Sequence, residues 1–358
     1  MAIIQPTSQY VNKEGKTEYR FTFGPWNIHP GADPFGPAVR GEITFAKKVA
    51  MYRTLGFAGV QFHDDDAVPG IMDKSLSAVG KKAREVKSML DGESLVAEFV
   101  APRLWEDNRT IDGAYTSNNP ACRQYAIDRS KCAIDVANNL GTDLIVLWLA
   151  REGTYIREAK DPGRSVEYLV NAINVMLDYD PNIRIAVEPK PNEPMDQAYI
   201  PTTGHAVALA FMTKDQSRVG VNIESAHAIL AGLDPSDEMG FALACNKLWT
   251  VHLNDQNGPK YDQDKTFGSV DIRRAFNQVH VLEQNGYGRN GEMVGLDVKA
   301  MRTQPADIAT KHLLHSRQIF LTLVDKVRTF NWKNAEELKR KRDYEQLEVE
   351  ILDHIMGK

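Results

Sequence analysis

The sequence predicts an α/β chain folded as a (β/α)8 TIM barrel with a C-terminal helical extension. Three observations carry that expectation. Short β-rich apolar runs alternate with longer segments of helical spacing, which requires parallel strands joined by crossover helices. Eight such runs can be counted, the number that closes a barrel. No GxGxxG or GxxxxGK(S/T) follows any of them, which weighs against a doubly wound dinucleotide fold.

In chain order the runs are RFTFGPW (20–26), GVQFH (59–63), LVAEFV (95–100), DLIVLWL (143–149), RIAVEPK (184–190), VGVNIES (219–225), WTVHLND (249–255) and VGLDVK (294–299). Helical spacing fills ITFAKKVAMYRTLG, CRQYAIDRSKCAIDVANNLG, SVEYLVNAINVMLDY and VDIRRAFNQVHVLEQNG between them. Glycine closes several of these segments, as a helix C-cap does. IATKHLLHSRQIFLTLVDKV supplies an eighth helix. The barrel is thus expected over 1–328, and a charged helical tail, solvated or serving as an intersubunit arm, over 329–358. The segment PRLWEDNRTIDGAYTSNNPA (102–121) is long for a βα connection, and such loops often act as lids.

With 358 residues the chain can bury a large core. It is 42% apolar and 25% charged with a formal net charge of −5, which argues against nonspecific nucleic-acid binding. No apolar run approaches the length of a membrane span, and the opening MAIIQPTSQYVNKEGK does not read as a secretory signal. Cys122, Cys132 and Cys245 are scattered and odd in number, which points to reduced thiols and a cytoplasmic location.

In a barrel of this kind the site is built at the C-terminal ends of the strands. Strand two ends in His63 and runs into Asp64, Asp65 and Asp66; strand five delivers Glu188 and Lys190; strand six gives Glu224, with His227 one helical turn on. Strand seven gives His252, then Asp255, Asp262 and Asp264, and strand eight gives Asp297 and Lys299. Trp26, Phe99 and Trp148 mark the same rim. Taken singly, each has a structural explanation: a hydrogen-bonded histidine, a helix cap, a surface lysine, a core tryptophan. Together, four consecutive strands ending in metal-ligand types place carboxylates where they repel one another without a cation. Oxygen-rich ligation with one or two imidazoles suits Mg²⁺, Mn²⁺ or Co²⁺.

The chain resembles the xylose isomerase family, in its shorter, actinomycete-like class, over nearly its whole length. FTFGPW, DPFG, FHDDD, WLAREG, EPKPNEP, NIESAHAILAGL, LNDQNGPKYDQD and DVKAMRT carry the resemblance in the family's order, and YEQLEVEILDHIMGK is like its last helix. The resemblance implies two divalent metal ions and aldose–ketose interconversion of an unphosphorylated sugar by ring opening and a metal-assisted hydride shift. By position, Glu188, Glu224 and Asp297 match ligands of the first metal. Glu224 also matches the bridge to the second, together with His227, Asp262 and Asp264. His63, supported by Asp66, matches the ring-opening pair that acts as an acid/base, and Lys190 the lysine that hydrogen-bonds substrate. Trp26, Phe99 and Trp148 match the apolar walls of the sugar pocket. Phe35 matches a phenylalanine that reaches a neighbouring subunit's site, which implies a homodimer or homotetramer.

The chain also departs from this family. His252 stands where the fourth ligand of the first metal is an aspartate, and Asp255 where the family has glycine. Imidazole in place of carboxylate softens that shell and favours Mn²⁺, Co²⁺ or Zn²⁺ over Mg²⁺. The resulting set of two Glu, one Asp and one His is like that of the ketose 3-epimerases and inosose-processing enzymes, so epimerisation or another proton transfer is the alternative activity. Asp255 is read as an accessory group: a replacement charge, a base, a support for His252, or a solvated loop residue. His29 enters with an altered loop after Trp26, and Leu149 and Ala150 replace two family glycines, which is expected to narrow the space beside Trp148.

Overall fold

The computed structural model describes residues 10–358. Eight parallel strands close a barrel in sequential order. They are β1 (Phe21–Phe23), β2 (Gly59–His63), β3 (Val96–Ala101), β4 (Leu144–Trp148), β5 (Arg184–Glu188), β6 (Val219–Glu224), β7 (Leu248–Leu253) and β8 (Val294–Leu296). A helix follows each: α1 (Phe45–Thr54), α2 (Leu76–Gly92), α3 (Pro120–Leu140), α4 (Pro162–Tyr179), α5 (Thr203–Met212), α6 (Pro235–Ala244), α7 (Ile272–Gln284) and α8 (Lys311–Thr329). Closure is made by β1, which pairs with β8 on one side and β2 on the other.

Local chemistry sets the helix boundaries. Asn119, Asp161 and Asp234 accept backbone N–H bonds at the starts of α3, α4 and α6, each followed by a proline that cannot use the donor it lacks. Gly141 ends α3 in the left-handed region at φ 84°.

The core has two parts. A large apolar layer between strands and helices holds residues such as Phe21, Val60, Ile145, Ile185, Val221 and Leu296. A small one, Phe99, Ala101, Leu144, Val146 and Ala186, fills the barrel interior on the β3–β5 side. Opposite it, Gln61, Glu98, Thr250 and Asn222 make a polar interior. The register between β2 and β3 slips between Val60 and Phe62, so Glu98 and Phe99 share one place in the ladder. That bulge allows Glu98 to bond Gln61 and Thr250 while Phe99 also faces inward, 5.7 Å from the His252 ring.

Register also levels the functional ends of the strands. Trp148 lies beside Glu188, and Glu224 beside His252. The 102–119 loop is fastened down: the buried Glu152 carboxylate accepts the backbone N–H groups of Ala114, Tyr115 and Thr116 at 3.1, 3.0 and 2.9 Å, plus the Thr116 hydroxyl. The tail is helical, in two pieces, α9 (Trp332–Lys341) and α10 (Tyr344–Met356), parted by Arg342 at φ 58°. It packs back on the barrel, with Trp332 stacked on His280 of α7 at 3.9 Å and Lys326 of α8 donating to the His354 carbonyl at 2.6 Å. Among the described residues no helix is long and apolar enough to cross a membrane.

Candidate metal centre

The C-terminal ends of β4 to β8 surround a cavity of about 750 Å³. The seven side chains read from the sequence as metal ligands meet there in three overlapping groups: Glu188, Glu224 and His227; Glu224, His252 and Asp297; Glu224, Asp262 and Asp264. Glu224 belongs to all three. His252 Nδ1 lies 3.3 Å from Glu188, 3.5 Å from Glu224 and 4.0 Å from Asp297. His227 Nε2 lies 3.3 Å from Glu224 and 3.1 Å from Asp262.

Neutral amides fix this geometry. Asn254 Nδ2 donates to Glu224 at 2.8 Å, to Asp264 at 3.2 Å and to the Asp297 carbonyl at 2.9 Å. Asn222 donates to Glu188 at 2.6 Å. Neither asparagine was singled out from the sequence. The signal was there, since each is two residues from a ligand on the same strand or its extension, Asn222 from Glu224 and Asn254 from His252.

Electrostatics favour a cation. Burial, then the charge of Asp262, pushes the Glu224 carboxyl well above the usual carboxylate range. The same two causes push Asp264 up to about 8. Burial opposes charge on His252, but Glu188 beside it prevails and raises the imidazole well above its ordinary value. Asp262 goes the other way: despite burial, Lys190 and His227 hold it low. Among the described residues, two lysines reach these five carboxylates: Lys190, bonded to Asp262 at 2.8 Å, and Lys299, paired with Asp264. His227 Nδ1, both ring nitrogens of His252 and Asp262 Oδ1 are buried without hydrogen-bond partners. Oxygen-rich donors, imidazoles and unsatisfied lone pairs together fit divalent cations.

The aromatic walls close over this centre. Trp26 donates Nε1–H to Asp297 at 3.0 Å and stacks on His63, with ring centroids 4.1 Å apart. Its indole lies against Gly24, where any Cβ would collide with it. The Lys190 ammonium stands 5.2 Å from the Trp148 ring. Phe99 lines the cavity as expected. Trp105, which the sequence did not single out, contributes more, meeting Trp148 edge-on at 4.7 Å and His63 at 5.0 Å. It lies in the long loop after β3, held there by Arg151 Nε, which donates to the Trp105 carbonyl at 3.1 Å.

Other expected residues stand elsewhere. Asp255 is buried outside the cavity and accepts backbone N–H bonds from Gln256, Val270 and Asp271 at 2.9, 2.8 and 3.1 Å. It organises the start of α7, and among the described residues no hydrogen bond or ion pair joins its side chain to His252. Leu149 and Ala150 are buried and do not line the cavity. His29 does line it, its pKa lowered to about 4 by burial and the nearby Lys299 charge. Phe35 sits beyond the rim, 83% exposed, edge-on to Tyr261 at 5.5 Å. The DDD run is not a solvated loop: Asp64 forms a buried two-bond pair with Arg129, and Asp65 meets Arg103. Asp66 accepts the His63 backbone N–H at 3.0 Å and an Arg103 N–H at 3.2 Å.

Residues 49–318 match the family described as Xylose isomerase-like TIM barrel. The xylose isomerase of Thermus thermophilus is 34% identical over 324 residues, spanning 88% of this chain and 82% of that protein. Among solved structures, a xylose isomerase domain protein from Alicyclobacillus acidocaldarius superposes with a TM-score of 0.61 at 14% identity, covering 86% of this chain and 99% of that one. D-psicose 3-epimerase from Clostridium cellulolyticum H10 does so with a TM-score of 0.59 at 16% identity, covering 86% and 99%. At such identities these two likenesses speak for the barrel alone. With the family match and the Thermus relative added to the geometry above, the chain belongs to the xylose isomerase-like TIM-barrel family.

Proposed function

We propose that the chain is a metal-dependent isomerase of a free, unphosphorylated sugar of xylose or glucose type, interconverting aldose and ketose by ring opening and hydride shift. The observation that carries this reading is the sharing of Glu224 among three ligand groups beneath an aromatic-walled cavity. Glu188, Glu224, His252 and Asp297 would hold one ion, and Glu224, His227, Asp262 and Asp264 a second. When bound, such ions polarise sugar oxygens and offset the negative charge that develops between them. Lys190, kept cationic by Asp262 and Glu193 against the effect of burial, offers its remaining N–H to a sugar oxygen. Trp26, Trp105 and Trp148 exclude water, which favours transfer of hydrogen between adjacent carbons over exchange with solvent. Phe35, exposed beyond the rim, supports a homodimer or homotetramer in which it reaches the next subunit's cavity. Residues 1–328 carry the site in this reading, with 329–358 as an appended tail. The free Cys122, Cys132 and Cys245 are consistent with a cytoplasmic enzyme.

Purified protein supplied with Mg²⁺, Mn²⁺ or Co²⁺ is expected to convert at least one aldose in a panel of pentoses and hexoses to its ketose. No conversion with any metal would sink the reading. A second reading, epimerisation by proton transfer at a Mn²⁺-type site, is favoured by the imidazole of His252 beside Glu188 and Glu224. Turnover in D₂O separates the two: a hydride shift leaves the transferred position largely unlabelled, whereas proton transfer introduces deuterium.

A further inference from the structure

We propose that Arg103 is a positioning residue that holds His63 in the tautomer with its proton on Nε2, so that His63 meets substrate as a neutral hydrogen-bond donor and not as a base. The inference rests on the isomerase or epimerase reading of this cavity for its functional meaning, and on local geometry for its substance.

Arg103 Nη2 lies 2.6 Å from His63 Nδ1. A guanidinium has N–H donors, no acceptor, and never gives up its proton in a protein. At that distance Nδ1 is the acceptor, and in a neutral imidazole the proton then resides on Nε2. Asp66 is the rival partner, with Oδ2 3.3 Å from Nδ1, and a carboxylate there would demand the opposite tautomer. The Asp66 contact is the longer of the two, however, and its oxygens have other donors. Oδ1 accepts from the same Arg103 Nη2 at 3.2 Å, and Oδ2 accepts the His63 backbone N–H at 3.0 Å. The two hydrogens of Nη2 therefore go one to Nδ1 and one to Asp66, and the network closes with Nδ1 bare.

Arg103 is held in place on every side. Its Nε donates to Asp65 at 2.8 Å, its Nη1 reaches Glu106 at 3.3 Å, and its backbone N–H donates to Asp64 at 3.1 Å. The His63 ring is equally fixed, stacked on Trp26 and edge-on to Trp105. His63 lines the cavity, and Nε2 has no hydrogen-bond partner among the described residues. A neutral Nε2–H can hold a sugar oxygen by donation. It cannot take a proton through that nitrogen.

The test is ¹⁵N NMR of histidine-labelled full-length protein loaded with diamagnetic Mg²⁺, with His63 assigned among the nine histidines by the signals lost in His63→Gln. The expected result at neutral pH is an unprotonated-type shift for Nδ1 and a protonated-type shift for Nε2. Arg103→Met is expected to exchange the two, Arg103→Lys to restore the original pattern at least in part, and Asp66→Asn to leave it unchanged. A protonated Nδ1 in the unsubstituted protein would overturn the proposal, and so would an Arg103→Met variant with unaltered His63 shifts. Because the readout is a spectrum, it stands or falls separately from turnover of any sugar.

Discussion

His252 meets Glu188 and Glu224 at 3.3 and 3.5 Å while, among the described residues, both its ring nitrogens lack a hydrogen-bond partner, so a metal ion that displaced its proton would find a ring nitrogen free to bind. His252→Asp adds a negative charge to that group without moving the backbone of β7. Its expected outcome is a shift of metal preference towards Mg²⁺, read by competitive calorimetric titration with Mg²⁺ and Mn²⁺; unchanged preference would remove His252 from the ligand set. Asp255, three residues on, predicts the opposite profile. Asp255→Ala strands three backbone donors, that of Gln256 buried, and is expected to cost about 1–3 kcal/mol of stability in denaturant unfolding while leaving metal affinity nearly unchanged. From the sequence the two were a single puzzle. Ligands on regular strands were legible because side-chain direction alternates there, and Asp262 and Asp264 because their motif is specific. Asp255 was not, since its direction is set by an isolated bridge to Lys265 and by the start of α7, neither of which leaves a local pattern.

At the level of elements, the strands were readable because each is a short β-rich apolar run, and α3 and α4 because helical spacing runs through CRQYAIDRSKCAIDVANNLG and SVEYLVNAINVMLDY. Two features escaped that reading. The bulge that turns both Glu98 and Phe99 inward depends on pairing with β2, which the β3 sequence alone does not specify. The long loop after β3 suggested a lid, yet Glu152, distant in sequence, binds three of its amides. Glu152→Gln keeps one oxygen acceptor and replaces the other with a donor facing a backbone N–H. It is expected to raise amide hydrogen exchange of residues 113–117 well above that of α3, while exchange in β5 and β6 stays as it was. Unaltered exchange in the loop would show that other contacts hold it.

For the whole molecule, the crowding of four carboxylates about that of Glu224 makes the folded state dependent on what neutralises them. Saturating Mn²⁺ is expected to raise the thermal midpoint by several degrees over chelator-treated protein, since a ligand at a hundred times its Kd contributes about 2.7 kcal/mol. Scanning calorimetry of the two forms checks this, and equal midpoints would speak against a high-affinity centre. Oligomer formation is checked by sedimentation, where Phe35→Ala is expected to lower turnover while metal binding stays intact. The divided interior of the barrel bears on handedness. Phe99, Ala101, Val146 and Trp148 form one wall of the cavity; Glu224, His252 and Asp297 form the facing one. An extended sugar has a C–H side and a hydroxyl side at each carbon, and between such walls its two orientations are unequal. In the ketose-to-aldose direction hydrogen is then delivered to one prochiral face of the C2 carbonyl only, and the aldose carries a single configuration at that new stereocentre. Chiral chromatography of the first product formed would show one epimer, well before equilibrium allows a second.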